Sequence, residues 1–424
     1  MLRKAALFTT AFILTFVGYQ SLRSESLEES QDFHFVLEDV DPSARATLAR
    51  ELPLRASGRH IVDAKGARVK LASINWYGAS DVDFVAGGLD VRHRDDIAIT
   101  IREMGFNSVR FPYSDQMVLE NPIIDPEFIS ANLDLLDGYD IPHDSDRKNN
   151  IEGPRALDVF TACVKAMTDA GLMVIVNDHI TNAAWCDGFN LCDSSWKNDH
   201  LLGFCKIRQT TESWIENWKT IMKPFVDNPL VVGADLRNEP RGIWGTFPWE
   251  NWAAAAEKAS EALLKMQPDW LMFVEGTSSA NDCSGVKRRP VRLSIPGRVV
   301  YSSHVYSWSG WGTLPSVPYK ERPYPSFRAD MVRKWGFLLD RDEAPVWVGE
   351  FGNPGHAGKG DHHYWNGLMR YLSETDADWG YWALNPRKPG TFDEETYGLL
   401  QDDWTTPKDD YRMRDLQRLM MPRS

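Results

Sequence analysis

From Leu71 onward the chain alternates two patterns: a short apolar run that ends in polar residues, then a polar loop leading into a stretch with apolar positions at helical spacing. The runs start at Leu71 (LASINWYG), Asn107 (NSVRFPYS), Leu172 (LMVIVNDH), Leu230 (LVVGADLRNE), Leu271 (LMFVEG), Arg298 (RVVYSSHVY), Ala344 (APVWVGEFG) and Trp379 (WGYWALN). Helical patterns lie between them from Arg94 to Met104, Ala156 to Ala170, Thr211 to Val226, Trp249 to Met266, Ser326 to Leu339 and His363 to Ser373. Strands joined by helical crossovers run parallel, and eight of them predict an α/β fold, a closed (β/α)8 TIM barrel. An open doubly wound sheet would carry a glycine-rich phosphate loop after its first strand, and NWYGAS is no such loop. Ahead of the barrel, RHIVDAKGARVKLA reads as a short β-hairpin around a Lys-Gly turn, which sets the barrel domain at residues 57–424.

The first residues differ from this pattern. Arg3 and Lys4 precede an almost uncharged apolar run from Ala5 to Tyr19, the layout of a secretory signal, and residues 1–23 are assigned to a signal peptide or a retained signal-anchor. Residues 24–56 form an acidic stem. Secretion is the expected outcome. The alternative is type II anchorage with the catalytic domain on the extracellular or lumenal side.

Composition narrows the function. The chain of 424 residues is 43% hydrophobic and 25% charged, enough apolar surface for a large core. Its formal charge of −13, with no basic cluster, excludes nucleic acid as a natural partner. Cys163, Cys186, Cys192, Cys205 and Cys283 fit an oxidising compartment, with one or two loop disulfides and one thiol left over. The seventeen tryptophans serve either a core or flat sugar-stacking platforms.

Active sites of (β/α)8 barrels lie at the C-terminal ends of the strands. The ends of the predicted strands carry Arg110, His179, Asn238, Glu239, His304, Tyr306, Glu350 and Trp382. Any one of these has a structural explanation; eight on one rim do not. Glu239 and Glu350 close the fourth and seventh strands, across the mouth from one another, and supply the paired carboxylates that glycosidic bond cleavage requires. One gives a proton to the leaving oxygen, while the other attacks the anomeric carbon or activates water.

The motifs VVGADLRNEPRG, RVVYSSHVY and APVWVGEFG, with NSVRFPYS before and LLQDDW after, resemble glycoside hydrolase family 5, the cellulase family of retaining barrel glycosidases. The resemblance runs from about His60 to the C-terminus. It implies that Glu239 is the general acid/base, Glu350 the nucleophile, and Asn238 the partner of the sugar 2-hydroxyl. Arg110 and Tyr306 would orient Glu350, His179 and His304 would line the subsite, and Trp382 would floor it. The implied activity is that of a retaining endo-β-1,4-glucanase on extracellular polysaccharide, with no metal or organic cofactor, acting as a monomer on a β-linked oligo- or polysaccharide. Other readings are an exo-β-glucosidase, a β-mannanase, a glycolipid glycosidase, or a non-catalytic carbohydrate-binding barrel. HVY and Arg237 depart from the pattern of many cellulases, and Arg237 has no evident role; Asp235 and Arg241 read as scaffold.

The loop after the third strand, ITNAAWCDGFNLCDSSWKNDHLLGFCKIRQ, is far longer than such connections usually are. It reads either as a stapled wall of the substrate cleft carrying Trp185 and Trp196, or as an insertion with its own small core. Trp244, Trp308 and Trp311 are further candidates for stacking platforms on the same rim. Asp361, His362 and His363 read as a solvated helix start, and Asp402 and Asp403 as anchors of the final loop.

Overall fold

The computed structural model of the protein describes residues 51–139, 153–186, 188–201, 203–242, 248–311, 315–391 and 393–420. The expected signal or anchor, most of the stem, and Trp244 lie outside the described residues. No helix among the described residues is long and apolar enough to cross a membrane.

Two short strands, β1 (Arg55–Ser57) and β2 (His60–Val62), pair antiparallel. The barrel strands follow: β3 (Ala72–Asn75), β4 (Ser108–Ser114), β5 (Met173–Ile180), β6 (Val231–Asp235), β7 (Leu271–Glu275), β8 (Val299–His304), β9 (Val346–Phe351) and β10 (Asp378–Tyr381). They close in sequence order, with β10 pairing both β3 and β9, and every pairing is parallel. All eight predicted strands are present, each shorter than the run that announced it except β5, which matches its run in length. β6 needs its glycine: a Cβ on Gly233 would lie 2.2 Å from the Leu271 carbonyl oxygen of β7.

The helices are α1 (Arg94–Glu103), α2 (Asp115–Glu120), α3 (Ala156–Asp169), α4 (Thr211–Met222), α5 (Trp249–Leu264), α6 (Tyr324–Met331), α7 (Phe337–Asp340), α8 (Lys359–Thr375) and α9 (Tyr411–Leu419). Their starts follow local chemistry. Thr210 and Ser213 cap α4 reciprocally, and Asp95 and Asp96 sit in the first turn of α1, where the helix dipole favours negative charge. The predicted single helix from Ser326 to Leu339 is instead α6, a wide π turn over residues 332–336, and α7. At that turn Gly336 lies against the Tyr371 hydroxyl, with no room for a Cβ.

The N-terminal hairpin corrects the sequence reading. The Lys65–Gly66 turn exists, with Asp63 N–H donating to the Ala67 carbonyl at 2.9 Å, but it is closed only by a single bridge between Val62 and Arg68. The ladder forms instead between β2 and β1, so Arg55 and Ala56, assigned to the stem, belong to the fold. Leu54 and Ile61 pack with Met173, Ile175, Phe273 and Trp347 inside the barrel, and the hairpin thereby closes its N-terminal end. The opposite end is left for the site. Nine tryptophans among the described residues, including Trp76, Trp214, Trp252 and Trp379, are fully buried, so the tryptophan content is mainly a property of the core.

Candidate active site

Arg110 stands at the centre of the C-terminal mouth, wholly buried on β4. Its Nε donates to Asp235 Oδ2 at 2.7 Å, Nη1 to Asn75 Oδ1 at 3.1 Å and to Glu350 Oε1, and Nη2 to Asn238 Oδ1 at 2.9 Å and Glu275 Oε1 at 3.0 Å. A guanidinium has five N–H donors, and all five are engaged. Burial opposes the charge, but Asp235, Glu350 and Glu275 more than offset it and hold Arg110 firmly cationic.

Glu350, on β9, accepts from Arg110 on one oxygen and from the Tyr306 hydroxyl on the other, the latter at 2.9 Å. Glu239 follows β6 and takes the left-handed backbone conformation, φ 49°. One oxygen of Glu239 and one of Glu350 lie within 4.8 Å of each other, with a ring nitrogen of His304 within the same distance of both. His304 Nδ1 is 3.1 Å from Glu239 Oε1 and 3.6 Å from Glu350 Oε2, while Nε2 is 3.4 Å from Glu275 Oε1. Burial works against a charge on His304, but Glu275 and Glu350, with the bond to Glu239, hold its pKa well above the ordinary value.

Two cations therefore face four carboxyls, those of Asp235, Glu239, Glu275 and Glu350. Like charges this close are not all ionised cheaply. Burial pushes Asp235 and Glu350 up, with Arg110 pulling both back and His304 assisting. Glu275 goes the other way: burial would raise it, but His304, Arg110 and the amide of Glu239 bring it below the usual glutamate value.

The open side of the mouth is aromatic and neutral. Trp382 stacks on Tyr77 at 4.6 Å and on His179 at 5.5 Å between ring centroids. His179 Nδ1 lies 3.0 Å from Asn177 Oδ1, and burial together with Arg110 holds its pKa well below the ordinary value, leaving a neutral imidazole. Asn238 spends its carbonyl on Arg110, which turns its amide nitrogen toward the cleft, 3.7 Å from the Cys186 sulfur. Tyr306 continues into Trp308, stacked at 4.4 Å, and Trp308, Trp311 and Trp185 are 51%, 64% and 42% exposed.

All eight predicted rim residues thus converge on one mouth. The prediction about the third loop divides. Cys192 and Cys205 form a disulfide, and Trp185 meets Trp382 edge-on at 6.3 Å, as a cleft wall would. Trp196, however, is 3% exposed and packs against Trp214 and Trp252, with its Nε1 donating to Thr211 Oγ1 at 2.8 Å; it is core. Three cysteines remain free where one was expected, because Cys163 and Cys283 are buried apart in the core and Cys186 faces Asn238. His363 Nε2 lies 2.7 Å from the Arg322 carbonyl inside α8, and Asp402 and Asp403 tie the final loop through Arg387 and Thr406.

The sequence reading missed Glu275 and Asn75, and left Arg237 unexplained. Glu275 closes the apolar part of LMFVEG as Glu239 closes the run LVVGADLRNE, which marks a rim residue but not its task. Arg237 is fully buried, donating to Asp115 at 3.2 Å, Asp178 at 2.9 Å and Thr181 Oγ1 at 3.0 Å.

A parallel (β/α)8 barrel whose mouth holds two carboxyls this close, beneath stacked aromatic rings, has the equipment of an O-glycoside hydrolase. The family model described as Cellulase (glycosyl hydrolase family 5) matches residues 62–388, and the chain belongs to that family. An endoglucanase of Paenibacillus polymyxa is 30% identical over 385 residues, 86% of either chain. The major extracellular endoglucanase of Xanthomonas campestris pv. campestris is 26% identical over 373 residues, covering 84% of this chain and 68% of that one. A Pyrococcus horikoshii endocellulase variant solved with cellotetraose superposes with a TM-score of 0.66 at 26% identity, covering 88% of this chain and 100% of that one.

Proposed function

We propose that the protein is a secreted retaining endo-β-1,4-glucanase, with Glu350 as nucleophile and Glu239 as general acid/base. The observation that carries this reading is the short approach of the two carboxyls, within 4.8 Å between nearest oxygens. Retaining enzymes hold their carboxyls about 5–5.5 Å apart, whereas inverting ones need about 6.5–9.5 Å to admit a water.

In the first step Glu350 attacks the anomeric carbon of a glucosyl unit bound over Trp382, and Glu239 gives its proton to the departing glycosidic oxygen. The Tyr306 hydroxyl and Arg110 keep the attacking carboxylate oriented. The Asn238 amide meets the 2-hydroxyl, a contact that strengthens as the ring flattens toward the transition state. In the second step Glu239, now a carboxylate, takes a proton from water, which breaks the glycosyl–Glu350 ester and restores both groups.

Cleavage within a chain is supported by the exposed rings of Trp185, edge-on to Trp382, and Trp308, stacked on Tyr306, which offer stacking surface beside the site. It is also supported by relatives named endoglucanase and by the cellotetraose held by the Pyrococcus horikoshii enzyme. Export is supported by the apolar N-terminal run behind Arg3 and Lys4, and by an extracellular relative. The test is a panel of soluble β-1,4-glucan, mixed-linkage glucan, mannan and aryl glycosides, followed by viscosity and reducing ends. A rapid fall in viscosity on β-1,4-glucan is expected, absent in Glu350→Gln. Release of glucose alone from chain ends would reject the endo reading, and equal turnover by the variant would discard the nucleophile assignment.

A further inference from the structure

We infer that Glu275 is a positioning residue for the acid/base step, one that sets both the place of Glu239 and the charge of the imidazole beside it. The inference rests on the reading of Glu239 as general acid/base.

Glu275 ends β7, has no solvent exposure, and makes no contact with the open cleft. Its two oxygens have different tasks. Oε2 accepts the backbone N–H of Glu239 at 2.6 Å. Residues other than glycine seldom take the left-handed conformation in which Glu239 is held, and a charged acceptor on its amide fixes the Cα from which the carboxyl projects. Oε1 takes Arg110 Nη2 at 3.0 Å and faces His304 Nε2 at 3.4 Å, an ion-pair separation rather than an aligned hydrogen bond.

His304 thus sits between carboxylates, Glu275 behind it and Glu239 before it. The groups facing it from the surrounding strands are Asp235 and Glu239 from β6 and the turn after it, Glu275 from β7, and Glu350 from β9. Arg110 and His179 lie on β4 and β5; His179 is neutral, and the Arg110 cation is spread over three carboxylates. Of the anions, Glu275 acts most strongly on the imidazole. When Glu239 passes its proton to the leaving oxygen it acquires a negative charge 3.1 Å from the His304 ring. An imidazolium there stabilises that charge, and Glu275 keeps the imidazole cationic so that it does.

Glu275→Gln removes the charge and keeps an acceptor for the Glu239 amide. The test compares kcat/KM for aryl β-cellobiosides with poor and with strongly activated leaving groups, across pH, beside Glu239→Gln. Assistance by an acid matters only for the poor leaving group, so Glu275→Gln should lose about 30-fold or more there and less than about 3-fold on the activated one. Its basic limb should move to lower pH, and Glu275→Asp, which keeps the charge, should restore the limb. Equal losses on both substrates with an unmoved pH profile would overturn the inference and leave Glu275 a packing residue. If Glu239→Gln itself shows no dependence on the leaving group, the acid assignment fails instead, a distinguishable result. In the unaltered protein, 15N NMR should find both nitrogens of His304 protonated at about pH 7. A neutral ring would overturn the inference without any variant.

Discussion

Arg237 Nη1 lies 2.9 Å from Asp178 Oδ1 and 3.2 Å from Asp115 Oδ2, and none of the three side chains reaches solvent. This buried array joins the end of β6 to β5 and to the start of α2, one residue before the Asn238–Glu239 pair. Trp214 Nε1 donates to Asp178 Oδ2 at 2.6 Å and Asn217 to Asp115 Oδ1 at 2.8 Å, so α4 is held by the same two carboxyls. Arg237→Leu strips both acids of their cation. Breaking a buried pair costs about 3–5 kcal/mol, and urea unfolding should show a loss of that size. Unchanged stability would contradict this role.

The Tyr306 hydroxyl donates to Glu350 at 2.9 Å. A donor to a carboxylate favours the ionised form, so Tyr306→Phe moves Glu350, already raised by burial, further up. In the proposed mechanism the ionised form attacks, so activity should be lost as pH falls through that pKa. The acidic limb of kcat/KM should therefore shift to higher pH, and kcat should drop about 10–100-fold, the worth of a charge-assisted hydrogen bond. A pH–rate profile on an aryl cellobioside checks both.

The Cys192–Cys205 disulfide closes a loop across a separation of 13 residues. Chain entropy puts such a cross-link at about 3 kcal/mol, and replacing both cysteines by serine should lower Tm accordingly. Trp185, at the cleft, precedes Cys192 in the same long connection after β5, so KM for long glucans should rise while KM for short aryl glycosides holds. Calorimetry and the two KM values test the pair of effects.

Asp81, in the loop after β3, has its carboxyl pushed up to about 7 by burial and then by Asp83. Its folded pKa lies above its unfolded one, so its favourable contribution is complete below pH 4 and is lost as pH rises through about 7. Asp81→Asn should raise Tm at about pH 8, by up to about 4 kcal/mol in stability, and leave it unchanged near pH 4. A thermal scan at the two pH values decides it.

The barrel and its rim were legible because closed parallel sheets write themselves as apolar runs with polar ends. His304 is such an end and Glu350 stands one residue before one, while Arg110 lies within β4 and reaches the mouth by the length of its side chain. Glu275 escaped because its task depends on the φ of Glu239, which no pattern in LMFVEG or DLRNEPRG encodes. β1 escaped because Arg55–Ser57 is too short to show alternation, and it is strand only through its pairing with β2. Trp185 and Trp196 are neighbours in one loop, yet one faces the cleft and the other the core. That separation follows from where α4 and α5 present Trp214 and Trp252, a tertiary fact.

Double displacement by Glu350 and Glu239 follows from their short carboxyl separation and fixes the stereochemistry of the product. Proton NMR of the first sugar released from a cello-oligosaccharide, read before mutarotation, tests it most directly. Double displacement releases the β-anomer first. The α-anomer appearing first would mean inversion, and would contradict it.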